Sequence, residues 1–152
     1  MTRRLLVVHH TVSPSTEALL SAAVQGARDP LITGVEVVVR PALVASAVEA
    51  LEADGYLLGS PVNIGYVSGA LKHFFDTVYY PCLSATQGRP YGLWLHAGGD
   101  ATGALRAVES ITAGLGWKQA QAPVVVTGSP TAADLASVGE MASAVAAGLM
   151  PD

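Results

Sequence analysis

Gly59-Ser60-Pro61-Val62-Asn63-Ile64-Gly65-Tyr66-Val67-Ser68-Gly69-Ala70-Leu71-Lys72-His73-Phe74-Phe75-Asp76 carries three kinds of local structure in one run. The residues just before it, Tyr56-Leu57-Leu58, form a continuous apolar run of the kind found in a covered strand. Gly59, Pro61 and Gly65 then supply unusual backbone angles in place of packing groups, which predicts a shaped loop. From Leu71 the apolar residues fall at Leu71, Phe74, Phe75, Val78 and Tyr79, one stripe at helical spacing. Ser68 stands where an N-cap hydroxyl accepts an early helical amide. Strand, loop and helix in this order are the unit of a parallel α/β sheet, whose ligands bind at the carboxyl ends of strands.

The rest of the chain repeats that unit. Leu5 to Val8 reads as a first strand, followed by a helix from Glu17 to about Ala27. A second strand, Val35 to Val39, is ended by Pro41, and a helix from about Val44 to Ala53 is expected to turn Val44, Val48 and Leu51 inward. Gly55 to Gly59 is the third strand, and Pro81 is expected to close the helix that follows the opening stretch. Pro90 precedes a fourth strand, Tyr91 to Leu95, and a helix runs from about Ala101 to Leu115. Pro123 to Thr127 is the fifth strand and Ala132 to Leu149 the last helix. This alternation predicts an α/β three-layer sandwich: a doubly wound five-stranded parallel sheet of order 2-1-3-4-5, with residues 1–152 as a single domain. The crevice then lies between strands 1 and 3, and the loops after strands 1, 3 and 4 share one site.

Composition narrows the function. Of the 152 residues, 51% are hydrophobic and 13% charged, with a net charge of −4. That balance, with no basic patch, speaks against nucleic acid. No apolar run is long enough for a bilayer, and Met1-Thr2-Arg3-Arg4-Leu5 leads into a strand and not into a signal segment, so no membrane association and a cytoplasmic location are expected. Cys82 is the single cysteine, which excludes an internal disulfide and a cysteine-cluster metal site, and no electropositive neighbour makes it a nucleophile. His9 and His10 are adjacent on a strand and point to opposite faces, so no metal is assigned to them. Trp94 and Trp117 read as core, and Lys72 with Asp76 as a solvated helical pair.

The first loop sets Thr11, Ser13, Ser15 and Thr16 before a helix. Hydroxyls and free amides at a positive helix end suit a phosphate held by neutral donors; equally, Ser13 or Ser15 caps the helix while the other hydroxyls are solvated. No dinucleotide or nucleoside triphosphate fingerprint is present. The loop after strand 4, His96-Ala97-Gly98-Gly99-Asp100, offers backbone amides at Gly98 and Gly99. There His96 is either a ligand contact or a polar strand end, and Asp100 reads as a cap of the next helix.

The spacing Thr11-x-Ser13-x-Ser15-Thr16 resembles the hydroxyl pattern with which flavodoxins hold the phosphate of flavin mononucleotide (FMN). The stretch from Gly59 to Asp76 resembles the Gly-Thr-Pro-x-x-x-Gly-x-x-Ser-x-x-x-Lys-x-Phe-x-Asp signature of flavodoxin-like NAD(P)H:quinone reductases. The resemblance implies FMN as cofactor, with its phosphate on Thr11, Ser13, Pro14, Ser15 and Thr16. It implies a ring wrapped by Ser60, Pro61, Val62, Asn63, Ile64, Gly65 and Tyr66. It brings His96, Ala97, Gly98 and Gly99 to a third contact loop, with His96 the one catalytic candidate. Two departures stand out: Pro14 replaces the usual glycine of the phosphate loop, and Ile64 replaces a frequent aromatic, which shifts stacking to Tyr66. The implied function is electron transfer from NAD(P)H, as co-substrate, to a quinone or similar acceptor. The alternatives are a flavodoxin-type carrier serving a redox partner protein, and a flavodoxin fold that has lost FMN and acts as an interaction domain. Relatives of this class often complete their sites across a homo-oligomer interface, for which an exposed Tyr79-Tyr80 is the candidate here. A phosphoacceptor receiver domain shares the topology but needs clustered acids after strand 1, where this chain has His9-His10.

Overall fold

The computed structural model describes residues 1–152. Its elements in chain order are β1 (Arg3–His9), α1 (Pro14–Ala27), β2 (Val35–Pro41), α2 (Ala47–Glu52), β3 (Gly55–Asn63), β4 (Tyr66–Val67), α3 (Gly69–Cys82), β5 (Pro90–Ala97), α4 (Thr102–Leu115), β6 (Lys118–Gln119), β7 (Val124–Thr127) and α5 (Ala132–Ala147). The main sheet is parallel and runs β2-β1-β3-β5, with β6 and β7 both on the far side of β5. The expected order 2-1-3-4-5 therefore holds, but its last strand comes in two pieces. β6 pairs with Pro90 and Tyr91, and β7 with Trp94 to Ala97. Pro123, which has no amide to donate, stands in the gap just before β7.

Alternation along β1 sorts the core into two layers. Leu6 and Val8 face α2, α3 and α4 with Tyr56, Leu58, Leu71, Phe74 and Trp117. Leu5 and Val7 face α1 and α5 with Leu57, Trp94, Val138 and Met141. Both tryptophans are core, and Trp117 stacks on Tyr56 with ring centroids 3.8 Å apart. The Tyr56 hydroxyl donates to the Ala50 carbonyl at 2.6 Å, and burial pushes this phenol up to about 12. Arg89 Nη1 donates to the carbonyls of Leu51 (2.7 Å) and Ala53 (2.6 Å), which satisfies the C-terminal end of α2 from a distant part of the chain. No helix is long and apolar enough to cross a membrane.

Two helical expectations are corrected. Val44 and Val48 do not turn inward; they are 66% and 61% exposed, and Ala45, Ala50 and Ala53 fill the inner face instead. The cause is local: Ser46 and Glu49 form a capping box that starts α2 at Ala47 and fixes its phase. Pro81 does not close α3 but sits inside its last turn, one residue before Cys82, where only one amide bond is lost. Tyr80 is exposed as expected, whereas Tyr79 is half-buried with its hydroxyl against Gly114 of α4.

Where α1 crosses α5, a Cβ on Gly26 would run into the Gly139 carbonyl, whereas one on Gly139 would meet only the Ala22 carbonyl at 3.5 Å, ordinary contact. Replacing a helical glycine by alanine normally stabilises by about 1 kcal/mol, while overpacking costs about 1–3 kcal/mol. Gly26→Ala is therefore expected to lower the urea unfolding midpoint and Gly139→Ala to raise it. A raised midpoint for Gly26→Ala would contradict the close crossing.

Candidate functional site

Register brings the three loops to one rim. His9 at the end of β1 is level with Gly59 of β3, and Pro61 of β3 is level with His96 of β5. The third strand does not end at Gly59 as expected. The strand continues through Ser60 to Asn63 and folds back on β4, pairing Val62 with Val67 and Asn63 with Tyr66. The two residues at the tip, Ile64 (φ 52) and Gly65 (φ 72), both lie in the left-handed region, as a two-residue hairpin of the primed type requires. Gly65 signals that turn in the sequence; Ile64, β-branched, argues against it. Asn63, Ile64, Gly65 and Tyr66 are exposed.

The base of this hairpin is held by two buried hydroxyls. Ser60 Oγ donates to the Pro61 carbonyl at 2.7 Å and accepts the Ser68 amide at 3.1 Å. Ser68 Oγ, 3.0 Å from Ser60 Oγ, accepts the Leu71 amide and caps α3 as expected. Ser60 thus works as a prop, with its hydroxyl spent inside the protein; Pro61 is buried beside it and Val62 half-buried. At the other end, the hairpin tip leans on α4. A Cβ on Gly103 would run into the Gly65 carbonyl, so this glycine lets the tip dock. Sequence reading missed Gly103, whose one signal is a glycine in the first turn of a helix.

In the first loop, Ser13 is the N-cap of α1 and forms a capping box with Thr16, which takes the capping alternative for Ser13. The Val12 and Ser13 amides both donate to Thr16 Oγ1, at 3.0 and 2.9 Å, and the Thr16 amide donates to Ser13 Oγ at 3.1 Å. Thr16 is buried, and Pro14 occupies the first helical position, where its missing amide costs least. Thr11 Oγ1 lies 2.8 Å from His9 Nδ1. The amide and hydroxyl of Ser15 take no partner within the chain. Burial, and after it the neighbouring His10, hold His9 below the usual histidine value.

The third loop leaves Gly98 and Gly99 exposed, with open space where a side chain would stand. Ala97 is buried, and its carbonyl accepts the Gly128 amide at 3.2 Å. His96 Nε2 lies 2.8 Å from the Gly128 carbonyl. A carbonyl only accepts, so this nitrogen carries the proton and Nδ1 is left free. A fourth loop, after β7, thereby joins the rim. Asp100 Oδ1 accepts the Thr102 amide (3.0 Å) and hydroxyl (2.6 Å), bonds that hold its carboxyl below the ordinary value. Lys72 and Asp76 pair at 2.6 Å on the exposed face of α3.

This donor set fits FMN. Neutral donors at the start of α1 suit a phosphate, and the exposed hairpin and the paired glycines offer backbone to a flat, heteroatom-rich ring. No group of three or more His, Cys, Asp or Glu side chains is assembled to hold a metal. A groove of about 580 Å³ between α1 and α5 lies away from the rim and is lined mostly by small residues.

The family of NADPH-dependent FMN reductases matches residues 14–134. A flavodoxin of Aquifex aeolicus (strain VF5) is 36% identical over 75 residues, a match that spans 49% of this chain and 40% of that protein. Among solved structures, the WrbA-like flavodoxin of Agrobacterium tumefaciens superposes with a TM-score of 0.77 at 18% identity, covering 95% of this chain and 96% of that one. A flavodoxin from the domain Archaea gives 0.81 at 20% identity, covering 96% and 98%. Rubredoxin oxygen:oxidoreductase from Desulfovibrio gigas gives 0.82 at 18% identity, covering 97% of this chain and 36% of that one. At these identities the structural likenesses are likenesses of fold.

Ile64 is fully exposed, so its side chain loses no packing when replaced. A non-glycine residue in the left-handed region costs about 1–2 kcal/mol, a cost that asparagine largely escapes. Ile64→Asn is expected to raise the melting temperature by roughly 2–4 °C per kcal/mol relieved. An unchanged or lower value in thermal unfolding followed by circular dichroism would show that the hairpin tip is unstrained.

Proposed function

The chain belongs to the NADPH-dependent FMN reductase family and is an FMN-binding, flavodoxin-like oxidoreductase; from that premise we propose that it draws electrons from NAD(P)H and delivers them to a quinone or similar small apolar acceptor. Bound FMN supplies the reversible redox chemistry, and the protein's share is binding, orientation and access. Thr11 and Ser15 at the start of α1 would hold the phosphate. The backbone from Asn63 to Tyr66 would flank one side of the ring and Gly98-Gly99 another. His96, with Nε2 fixed on Gly128, keeps Nδ1 for a bound molecule. A cytoplasmic location, beside the NAD(P)H pool, goes with this reading.

The observation that favours a small apolar acceptor is the character of the rim. Val12, Leu43, Val44, Ile64 and Tyr66 all stand exposed on the loops that end β1 and β2 and on the β3–β4 hairpin. Of the charges nearby, Arg40 pairs with Glu49 at 2.6 Å and Asp100 is held by Thr102, while Glu17 in the first turn of α1 is exposed. A one-electron carrier steers its protein partners with unpaired charge of one sign. Uncharged, apolar side chains instead suit an acceptor that stacks by leaving water.

Titration of the apoprotein with FMN, followed by flavin fluorescence quenching, tests cofactor binding. Steady-state NAD(P)H oxidation with and without added quinone then tests the turnover. Quinone-dependent oxidation is the expected result, and tight FMN binding without any oxidation would identify a carrier. Gly103→Ala pushes the hairpin off α4 and is expected to weaken FMN binding by about 1–2 kcal/mol, roughly five- to thirtyfold in Kd. An unaltered Kd would remove the hairpin from the binding surface.

A further inference from the structure

Resting on the reading that FMN phosphate is held at the start of α1, we propose that His9 is a positioning residue that turns the Thr11 hydroxyl toward the phosphate, and that FMN binding thereby draws a proton onto His9. The argument starts from how few donors this loop has left. No lysine or arginine lies between His10 and Glu17. Pro14 has no amide, and the Val12, Ser13 and Thr16 amides already end on the hydroxyls of the capping box. What remains is the Thr11 amide, the Ser15 amide and, as hydroxyls, those of Ser15 and Thr11. The direction of the last is set by its partner, since Thr11 Oγ1 is 2.8 Å from His9 Nδ1.

A hydroxyl has one proton to give. When His9 Nδ1 is bare, Thr11 donates to it and presents only lone pairs to the loop, which repel an anion. When Nδ1 carries a proton, it donates to Thr11 Oγ1 and frees the Thr11 proton for a phosphate oxygen. A neutral imidazole protonated on Nδ1 also achieves this. A dianion close by nevertheless favours the imidazolium, with the additional proton taken from solvent onto the ring. Without ligand, burial and the neighbouring His10 keep His9 below the ordinary histidine value, so the ring is neutral near pH 7.

The other charged groups on the packed elements leave His9 free to respond. β2 brings Arg40, which is paired with Glu49, and β3 brings Gly59 opposite His9. α1 brings Glu17 in its first turn, exposed to solvent, and α5 brings Asp134, bound to the Thr131 amide. No carboxylate forms an ion pair with His9. The sign follows: the His9 value is depressed without ligand and raised by the phosphate. Between those two values FMN affinity grows as pH falls, by up to about tenfold per unit. FMN phosphate itself gains a proton near about pH 6, which opposes the effect below that point.

The experiment is calorimetric titration of apoprotein at about pH 7 with FMN and with riboflavin, in buffers of different ionisation enthalpy, alongside Kd values from fluorescence between about pH 6.5 and 8. The expected result is net proton uptake with FMN, none with riboflavin, and FMN affinity that rises toward acid. In His9→Asn, whose amide donates from the Nδ1 position without titrating, the uptake is expected to vanish and the pH slope to flatten. FMN binding with no proton uptake in the wild type, or with uptake unchanged in His9→Asn, overturns proton capture by His9, and an unchanged Kd in His9→Ala overturns its positioning of Thr11, while both leave FMN binding intact. Failure to bind FMN at any pH overturns the underlying reading as well.

Discussion

A parallel strand cannot be followed at once by its neighbour; the chain must travel back along a helix first, so every strand of such a sheet delivers its next loop to the same end. Everything distinctive about this molecule follows from that constraint acting on β1, β3 and β5. Their level register sets His9 beside Gly59 and Pro61 beside His96, so residues from three distant parts of the sequence open onto one rim. The two core layers exist to hold that register. Leu57 and Trp94 press from one side and Leu58 and Leu93 from the other, and Trp94 lies so close over β3 that no Cβ fits at Gly59. A slip of one residue in β3 would exchange the two layers and move the hairpin away from α4.

On that frame the rim is built largely from hydroxyl groups and bare backbone. Ser60 and Ser68 are buried and satisfy each other's surroundings, Ser13 and Thr16 lock the start of α1, and at the opposite end of the strands Thr112 and Thr86 tie down Tyr91 and Trp117 in the same way. Each such pair places a donor beside an acceptor at small desolvation cost, which suits a chain with only 13% charged residues. The consequence for ligand binding is a matter of counting. A hydroxyl used to cap a helix or close a hairpin is not free for a phosphate, so a sequence rich in serine and threonine overstates the donors available. That is why the few hydroxyls outside the capping box, the free one of Ser15 and that of Thr11 beside His9, carry more weight here than the pattern of four hydroxyls implied.

The alternation of apolar runs and helical stripes made the strand order legible, because a wound sheet of this length has few ways to bury its strands. Ser68 as a cap and the Lys72–Asp76 pair were legible because each depends on neighbours within a few residues, and the two tryptophans because large apolar side chains are usually buried. What escaped depends on partners far away. Val44 and Val48 are the local exception: they sit at convincing helical spacing, yet the Ser46–Glu49 capping box starts α2 at Ala47. Ser60 lies near the start of the stretch that resembles a ligand-binding signature, but its hydroxyl is claimed by Ser68, eight residues on. The break between β6 and β7 reflects a proline at a sheet edge, and Gly103 matters only because Gly65, far earlier in the chain, arrives above it.

Ile64 is where local preference and global structure disagree most plainly. A β-branched residue with φ 52 and a fully exposed side chain gains nothing from burial and pays for its backbone conformation. The turn persists because its surroundings over-determine it: β3 and β4 pair on either side, the Ser60–Ser68 pair closes the base, and Gly103 receives the tip. Asparagine or glycine at this position would make the same turn at lower cost, so the turn itself does not call for isoleucine. Strain kept at a rim, on a residue that touches nothing in its own chain, is intelligible when the side chain serves an outside contact. An exposed aliphatic surface beside the proposed cofactor site would meet that description, and with Val12, Leu43, Val44 and Tyr66 it makes the rim apolar.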